Sequence, residues 1–487
     1  MRLSPIVLPM ICVGSLVFFL LSYSYSSFSA WQACYMVSIL LSFCYLASNF
    51  SRLFFLTPLL LIVITVANTL PAVPYLIFEI EPVYNFQHSL YINSLGLITV
   101  LSITTLLNIK SKTFLISDCC FKTAEWQRFF VVNGRLFWVT APLVLAAMYL
   151  SGGWKVLIGL IPDSEFSRIG NFKGLGPLML AASVNVFAGT LYGLSLIGSS
   201  RVARGTLVII LMLLLNSFTL GRGSVIQVFM FGLFAYGITR GVTLKILFFS
   251  ILTGTCIVLM QLLRSNSEDG SGFSVLITLF LKFSADFDSL NNVSHLITYI
   301  QDHGFPGWYH IYSFFLNPIP RIIFPDKPHF IGILHLNDLI FPGLYLGEEG
   351  GSNFTFGLFG TWYAVNGIWT LLLGSVVSTL FVNAMDIRLQ RWARYPTPDI
   401  FIIVYLLLLG QIIIYYRDGL SFFVSALIQV PLYLICGYVF GWRPMFKLRT
   451  RPQNLQRKGR AEGKALGKIL VARVDSQGYS LSNDMPR

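Results

Sequence analysis

Four arginines in this chain stand where they can gather around one anionic group. Arg222 lies in Leu220-Gly221-Arg222-Gly223-Ser224, a turn between two apolar stretches, and Arg264 closes a third. Arg321 lies in Pro318-Ile319-Pro320-Arg321-Ile322-Ile323-Phe324-Pro325-Asp326-Lys327-Pro328, and Arg417 in Tyr415-Tyr416-Arg417-Asp418-Gly419. Guanidinium presents paired N–H donors that match a pyrophosphate. Several of them around one cavity can stabilise a departing pyrophosphate without a metal. Proton-transfer groups are concentrated as well. Residues 264–356 hold nine of the 21 acids and five of the six histidines: His295, His303, His310, His329 and His335. A carboxylate or imidazole from this set can take a proton from an attacking hydroxyl.

The elements that position these residues are set by composition. The 487 residues are 55% hydrophobic, 15% aromatic and only 11% charged, against about a quarter charged in an average globular chain. Mean hydropathy is +0.71. Soluble, disordered and disulfide-scaffold classes are thereby excluded. About 20 apolar residues cross a bilayer as a helix. Twelve such stretches are expected, at 6–28, 30–49, 53–78, 89–109, 129–150, 175–198, 205–220, 223–239, 244–263, 357–383, 400–416 and 420–441. The first lacks a small-residue cleavage site and is read as a retained helix. The expected fold is an all-α polytopic membrane protein.

The net charge of +13 follows the membrane rather than a nucleic acid. With the N-terminus in the cytoplasm, 24 Lys and Arg fall inside and nine outside, Arg135 lying within a span. That bias supports an even number of spans, with both termini cytoplasmic. Arg222, Arg264, Arg321, Lys327 and Arg417 belong to the external minority. Snorkelling, or a local pair such as Arg417–Asp418, is the ordinary use of a boundary arginine. Their common side is what sets these apart. No cysteine falls in an external segment, so no disulfide framework is expected.

The chain divides into spans one to nine (1–263), a large external loop (264–356), spans ten to twelve (357–442) and a basic cytoplasmic tail (443–487). The tail is read as a solvated extension that fixes topology. Within the loop, Phe273–Phe283 is almost wholly apolar and Phe305–Phe324 is rich in Trp, Tyr, Phe and Pro. Both suit short helices lying at the membrane interface, or a subdomain packed on the bundle. Asp286-Phe287-Asp288 has the spacing of some metal-dependent sugar transferases. On a helix, however, alternate residues diverge by about 200°. No HExxH, Walker loop, GxSxG or paired CxxC is present, and neither metal nor cofactor is expected.

Several of these segments together resemble bacterial oligosaccharide repeat-unit polymerases, the O-antigen polymerases of the Wzy type. The resemblance rests on Gly221-Arg222-Gly223-Ser224 after an apolar span and on Phe287-Asp288 in the large loop. It also rests on Pro320-Arg321 leading to Pro325-Asp326-Lys327-Pro328, on Asn353-Phe354-Thr355-Phe356-Gly357-Leu358-Phe359-Gly360, and on Arg417-Asp418-Gly419. It covers about residues 205–425, and the Pro-Arg to Lys-Pro stretch is its most specific part. The final turn departs from the Arg-Gly-Asp order expected of many relatives.

The resemblance implies a GT-C-like membrane glycosyltransferase in the bacterial inner membrane, with its active site on the periplasmic face. Its partners would be undecaprenyl-pyrophosphate-linked oligosaccharides as donor and acceptor, membrane lipid, and a chain-length regulator protein. In this reading Arg222, Arg264, Arg321, Lys327 and Arg417 bind pyrophosphate or glycan. Asp288, Asp326 and His303, in that order, are the candidate bases. Two alternatives stay open at this point: an O-antigen ligase, which shares the topology, and a flippase for the same lipid-linked unit. The absence of two related halves, and the one-sided loop, count against a transporter.

Overall fold

The computed structural model describes residues 11, 15, 28–49, 55–77, 85–108, 121–157, 175–216, 223–240, 289–316, 319, 323–326, 332–343, 355–394, 396–418 and 421–442. Contacts divide the chain into residues 1–444 and 445–487, the second unit lying outside the described residues. Among the described residues every regular element is helical. In chain order they are α1 (Phe28–Ser48), α2 (Leu56–Ile77), α3 (Phe86–Asn108), α4 (Ala124–Leu150), α5 (Gly153–Leu157), α6 (Gly176–Gly198), α7 (Val202–Asn216) and α8 (Gly223–Arg240). There follow α9 (Ser289–His303), α10 (Tyr309–Tyr312) running into a 3₁₀ turn (Ser313–Leu316), and α11 (Ile333–Ile340). The last are α12 (Gly357–Asn366), α13 (Ile368–Trp392), α14 (Ile400–Gly410), α15 (Ile412–Asp418) and α16 (Ser421–Val439).

Five of these contain stretches long and apolar enough to cross a membrane: Trp31–Ser48, Phe86–Leu107, Ala124–Leu150, Pro177–Gly198 and Ile368–Trp392. The surface they leave is that of a helical membrane protein. On α13 the exposed stripe is Trp369, Leu373, Val377, Leu380 and Ile387, while Ser375, Ser378, Thr379 and Asp386 face inward and are buried. Apolar outside and polar inside is the order an apolar solvent imposes.

Since lipid is as apolar as a leucine side chain, polar bonds and close backbone contact must hold such helices together. Asn185 on α6 donates through Nδ2 to the Phe137 carbonyl and to Thr140 Oγ1 on α4, each at 3.0 Å. Its Oδ1 accepts from Asn216 Nδ2 on α7, also at 3.0 Å. The Tyr433 hydroxyl on α16 donates to Asn133 Oδ1 on α4. Where α6 and α7 pack, a Cβ on Gly205 would lie 2.5 Å from the Gly193 carbonyl oxygen. Gly205→Ala is therefore expected to cost about 1–3 kcal/mol through overpacking. Gly198→Ala, whose Cβ would meet nothing within 4 Å, serves as the control. The thermal midpoint of the detergent-solubilised chain should fall only for Gly205→Ala.

Helix ends are also built from side chains. Asp399 caps α14 by accepting from the Ile402 N–H at 3.0 Å. Asp386, far along the chain on α13, caps α2. Its Oδ1 accepts from the Leu56 N–H at 3.0 Å, and its Oδ2 from the Thr57 N–H at 2.8 Å. The Tyr405 hydroxyl on α14 donates to the same Oδ1 at 2.8 Å. One buried carboxyl thus joins three helices and supplies donors at the α2 N-terminus with acceptors.

Most expected spans match a helix. The expected turn between spans seven and eight, at Gly221 and Arg222, lies outside the described residues. The first and ninth expected spans lie outside the described helices. Two spans differ from expectation. The stretch 357–383, read as one helix, is α12 and α13, parted at Gly367, and α13 runs on to Trp392. The stretch 400–416 is α14 and α15, parted at Gln411.

Candidate functional site

The break at Gly367 reverses the chain. Its φ of 73° and ψ of −145° lie in a region open essentially to glycine alone. The Gly367 N–H closes α12 on the Tyr363 carbonyl at 2.9 Å, and the Asn366 N–H donates to Thr370 Oγ1 at 3.0 Å. A Cβ on Gly374 would lie 2.1 Å from the Trp362 ring. Twelve residues of continuous helix would hold these positions about 18 Å apart. The short helix α12 is therefore folded back on α13.

Folded back, α12 is buried along its length, from Gly357 to Val365 with Tyr363 only half-buried. Phe359 packs on Gly96, near the middle of α3, and Gly360 packs on Val293 of α9. The first half of α9 joins this core: Leu290, Val293, Ser294 and Leu296 have no exposed surface. Ser89 Oγ on α3 donates to the Leu290 carbonyl, and Asn292 Nδ2 donates to the Thr355 carbonyl at 2.9 Å. Near the far end of α9, Asn85 Nδ2 donates to Thr298 Oγ1 at 3.1 Å and to Gln301 Oε1 at 2.9 Å. Part of the segment expected to form a large external loop is thus integral to the bundle.

A polar node lies where α9, α12 and α15 meet. Ser289 Oγ and the Tyr416 hydroxyl are 3.0 Å apart, both residues buried. Gly357, with φ of 64°, faces them so closely that a Cβ there would come within 3.0 Å of the Tyr416 oxygen and 3.3 Å of Ser289 Cβ. Ser289 follows Asp288 in sequence, and Tyr416 precedes Arg417, which lies within α15.

The other expected site residues fall as follows. His303 ends α9, exposed, its ring stacked on Tyr299 at 4.6 Å and its Nδ1 3.3 Å from the Tyr299 carbonyl. At 1.5 Å per residue, the length of α9 sets it about 21 Å from Ser289. It does not join the node. Asp326 is exposed at a turn. Asp288, Arg222, Arg264, Arg321 and Lys327 lie outside the described residues. Among the described residues no three His, Cys, Asp or Glu side chains are grouped as for a metal; Asp286 also lies outside them.

One histidine is more deeply placed than any chosen from sequence. His310, in α10, has no exposed surface, and its Nε2 lies 2.9 Å from the Thr361 carbonyl of α12. A carbonyl only accepts, so Nε2 carries the proton and Nδ1 the lone pair. Nothing in the sequence separates it from its neighbours except its place between Trp308 and Tyr312. Burial pushes His310 from 6.5 down to about 4, against the opposing effect of the Thr361 carbonyl.

Because the unfolded chain takes up this proton first, the stability contribution is complete above pH 6.5. It falls by about 3 kcal/mol as pH drops to 4, and is level below. Acid titrations of folded fraction should therefore be shallower over this window for His310→Leu than for the parent. Equal slopes would contradict a buried neutral imidazole.

No family model matches the chain, and neither a curated protein nor a solved structure is similar to it.

Proposed function

We propose that the chain is a metal-independent membrane glycosyltransferase that polymerises undecaprenyl-pyrophosphate-linked repeat units into O-antigen or a similar surface polysaccharide. The observation that carries this reading is the Ser289–Tyr416 contact over Gly357. It brings together sequence neighbours of Asp288 and Arg417, residues far apart in the chain, at the first turn of α12. All three segments belong to the resemblance.

The acceptor sugar's hydroxyl attacks the anomeric carbon of the glycan on its carrier. A new C–O bond forms, the bond to pyrophosphate breaks, and undecaprenyl pyrophosphate departs. Asp288 leads the candidate bases for the hydroxyl proton, ahead of Asp326 and His303. Arg222, Arg264, Arg321, Lys327 and Arg417 hold the pyrophosphate charge, which matters most because pyrophosphate is already a good leaving group. The twelve-span arrangement, GT-C-like fold, cytoplasmic termini, periplasmic site and chain-length-regulating partner belong to the same proposal.

The test is the glycan phenotype of cells lacking the protein. A polymerase deletion leaves single repeat units on the lipopolysaccharide core, with lipid-linked units accessible outside. A bare core would instead indicate a ligase, and units trapped inside would indicate a flippase.

A further inference from the structure

Residues 305–316 show an inverted distribution of side chains. Trp308, Tyr312 and Phe315, spaced i, i+4, i+7 on one helical face, are 50%, 53% and 58% exposed. His310 and Ser313, the polar residues between them, have no exposed surface. His310 bonds the Thr361 carbonyl, and Ser313 Oγ accepts from the Gly332 N–H at 3.0 Å. In water this arrangement would expose three aromatic rings while burying two polar groups. Against an apolar boundary it is the favourable order.

The aromatic face also continues a surface already described. Phe305, 44% exposed, packs its ring on Gly367 at the turn between α12 and α13. Trp308 meets Trp362 edge to face at 6.4 Å. Two residues beyond Gly367 stands Trp369, 78% exposed, which heads the outward apolar stripe of α13. The patch therefore begins where the lipid-facing stripe of a membrane-spanning helix ends. Exposed Trp and Tyr at that level are the residues that favour the headgroup boundary.

We propose that residues 305–316 form a membrane-docking segment whose occupant is bilayer lipid at the headgroup–acyl boundary, and that this seating clamps the folded-back helix α12. Phe305, Trp308, Tyr312, Phe315 and Trp369 enter the boundary. The same segment holds α12 and its C-terminal turn through three contacts: the packed sides of the half-exposed Phe305 and Trp308 rings on Gly367 and Trp362, and buried His310 on the Thr361 carbonyl. Lipid contact is thereby linked to the helix whose first residue, Gly357, packs against the Ser289–Tyr416 node. The inference requires only a membrane protein and is independent of the glycosyl-transfer reading.

The test uses the full chain in vesicles of phosphatidylethanolamine and phosphatidylglycerol, with benzoylphenylalanine replacing Trp308, Tyr312, Phe315 or Gln301 in turn. Gln301 is the control, being exposed near the polar end of α9. After irradiation and mass spectrometry, phospholipid adducts at the three aromatic positions should exceed those at Gln301 at least tenfold. Equal yields, or adducts to a second copy or another protein in place of lipid, would overturn the docking segment. The clamp is read separately by amide exchange in the variant Trp308→Ser, Tyr312→Ser, Phe315→Ser. Exchange in α12 should rise at least tenfold while α4 and α6 stay unchanged. Unaltered protection of α12 would overturn the clamp.

Discussion

Asp386→Leu is expected to keep the protein from accumulating in the membrane. Replacing a buried ionic group with an apolar one is often neutral when its partners are replaced as well. Here the partners remain. The Thr57 N–H and the Tyr405 hydroxyl each lose the oxygen they donate to, although the Leu56 N–H retains the Tyr405 hydroxyl at 3.2 Å. Buried donors left unmade cost about 1–3 kcal/mol each. A loss of about 3–5 kcal/mol follows, a large fraction of the roughly 5–15 kcal/mol that stabilises a folded domain. Asp386→Asn keeps one acceptor oxygen and should cost about half as much. Expression and thermal midpoint, followed by fluorescence-detected gel filtration, should rank parent above Asn above Leu. A leucine variant that matched the parent would show that the α2 cap contributes nothing.

Gly374→Leu should have the second large effect, on activity as well as stability. The Trp362 ring fills the place of a Cβ at residue 374, so even alanine must displace an indole, and leucine cannot coexist with the fold-back. Overpacking of this kind costs about 1–3 kcal/mol or more. The chain can escape by swinging α12 away from α13, which draws Gly357 off Ser289 and Tyr416. Polymer length in cells should therefore collapse, and amide protection in α12 should fall at least tenfold. Trp362→Ala in the same chain removes the clash and should restore part of both. Full polymer from Gly374→Leu alone would mean that the fold-back is not needed for function.

Five of the described helices are long and apolar enough to cross a membrane. The long apolar helices were legible in sequence because a run of that length stands out whatever its packing. The reversal at Gly367 was not. That run contains Gly357, Gly360, Gly367 and Gly374, and hydropathy treats them alike. Gly360 and Gly374 are there for close packing against Val293 and Trp362, whereas Gly367 carries the positive φ of the turn. Only three-dimensional neighbours distinguish the two uses.

The site shows the same division. Counting acids and histidines over residues 264–356 singled out a segment, but not which face of a helix each residue takes. His303 sits at the exposed tip of α9, while His310 is enclosed against α12. Tyr416 and Ser289 flank the residues that the motifs singled out, and only folding brings them within 3.0 Å.

Polymerisation itself is tested most directly with the purified chain in lipid vesicles and a synthetic undecaprenyl-pyrophosphate repeat unit as sole substrate. A ladder of glycans differing by one repeat unit should form, each step releasing one undecaprenyl pyrophosphate. Arg321→Ala and Arg222→Ala variants that still insert normally should lose the ladder. A substrate left as single units by the intact chain, or full ladders from both arginine variants, would contradict the proposed reaction and its pyrophosphate clamp respectively.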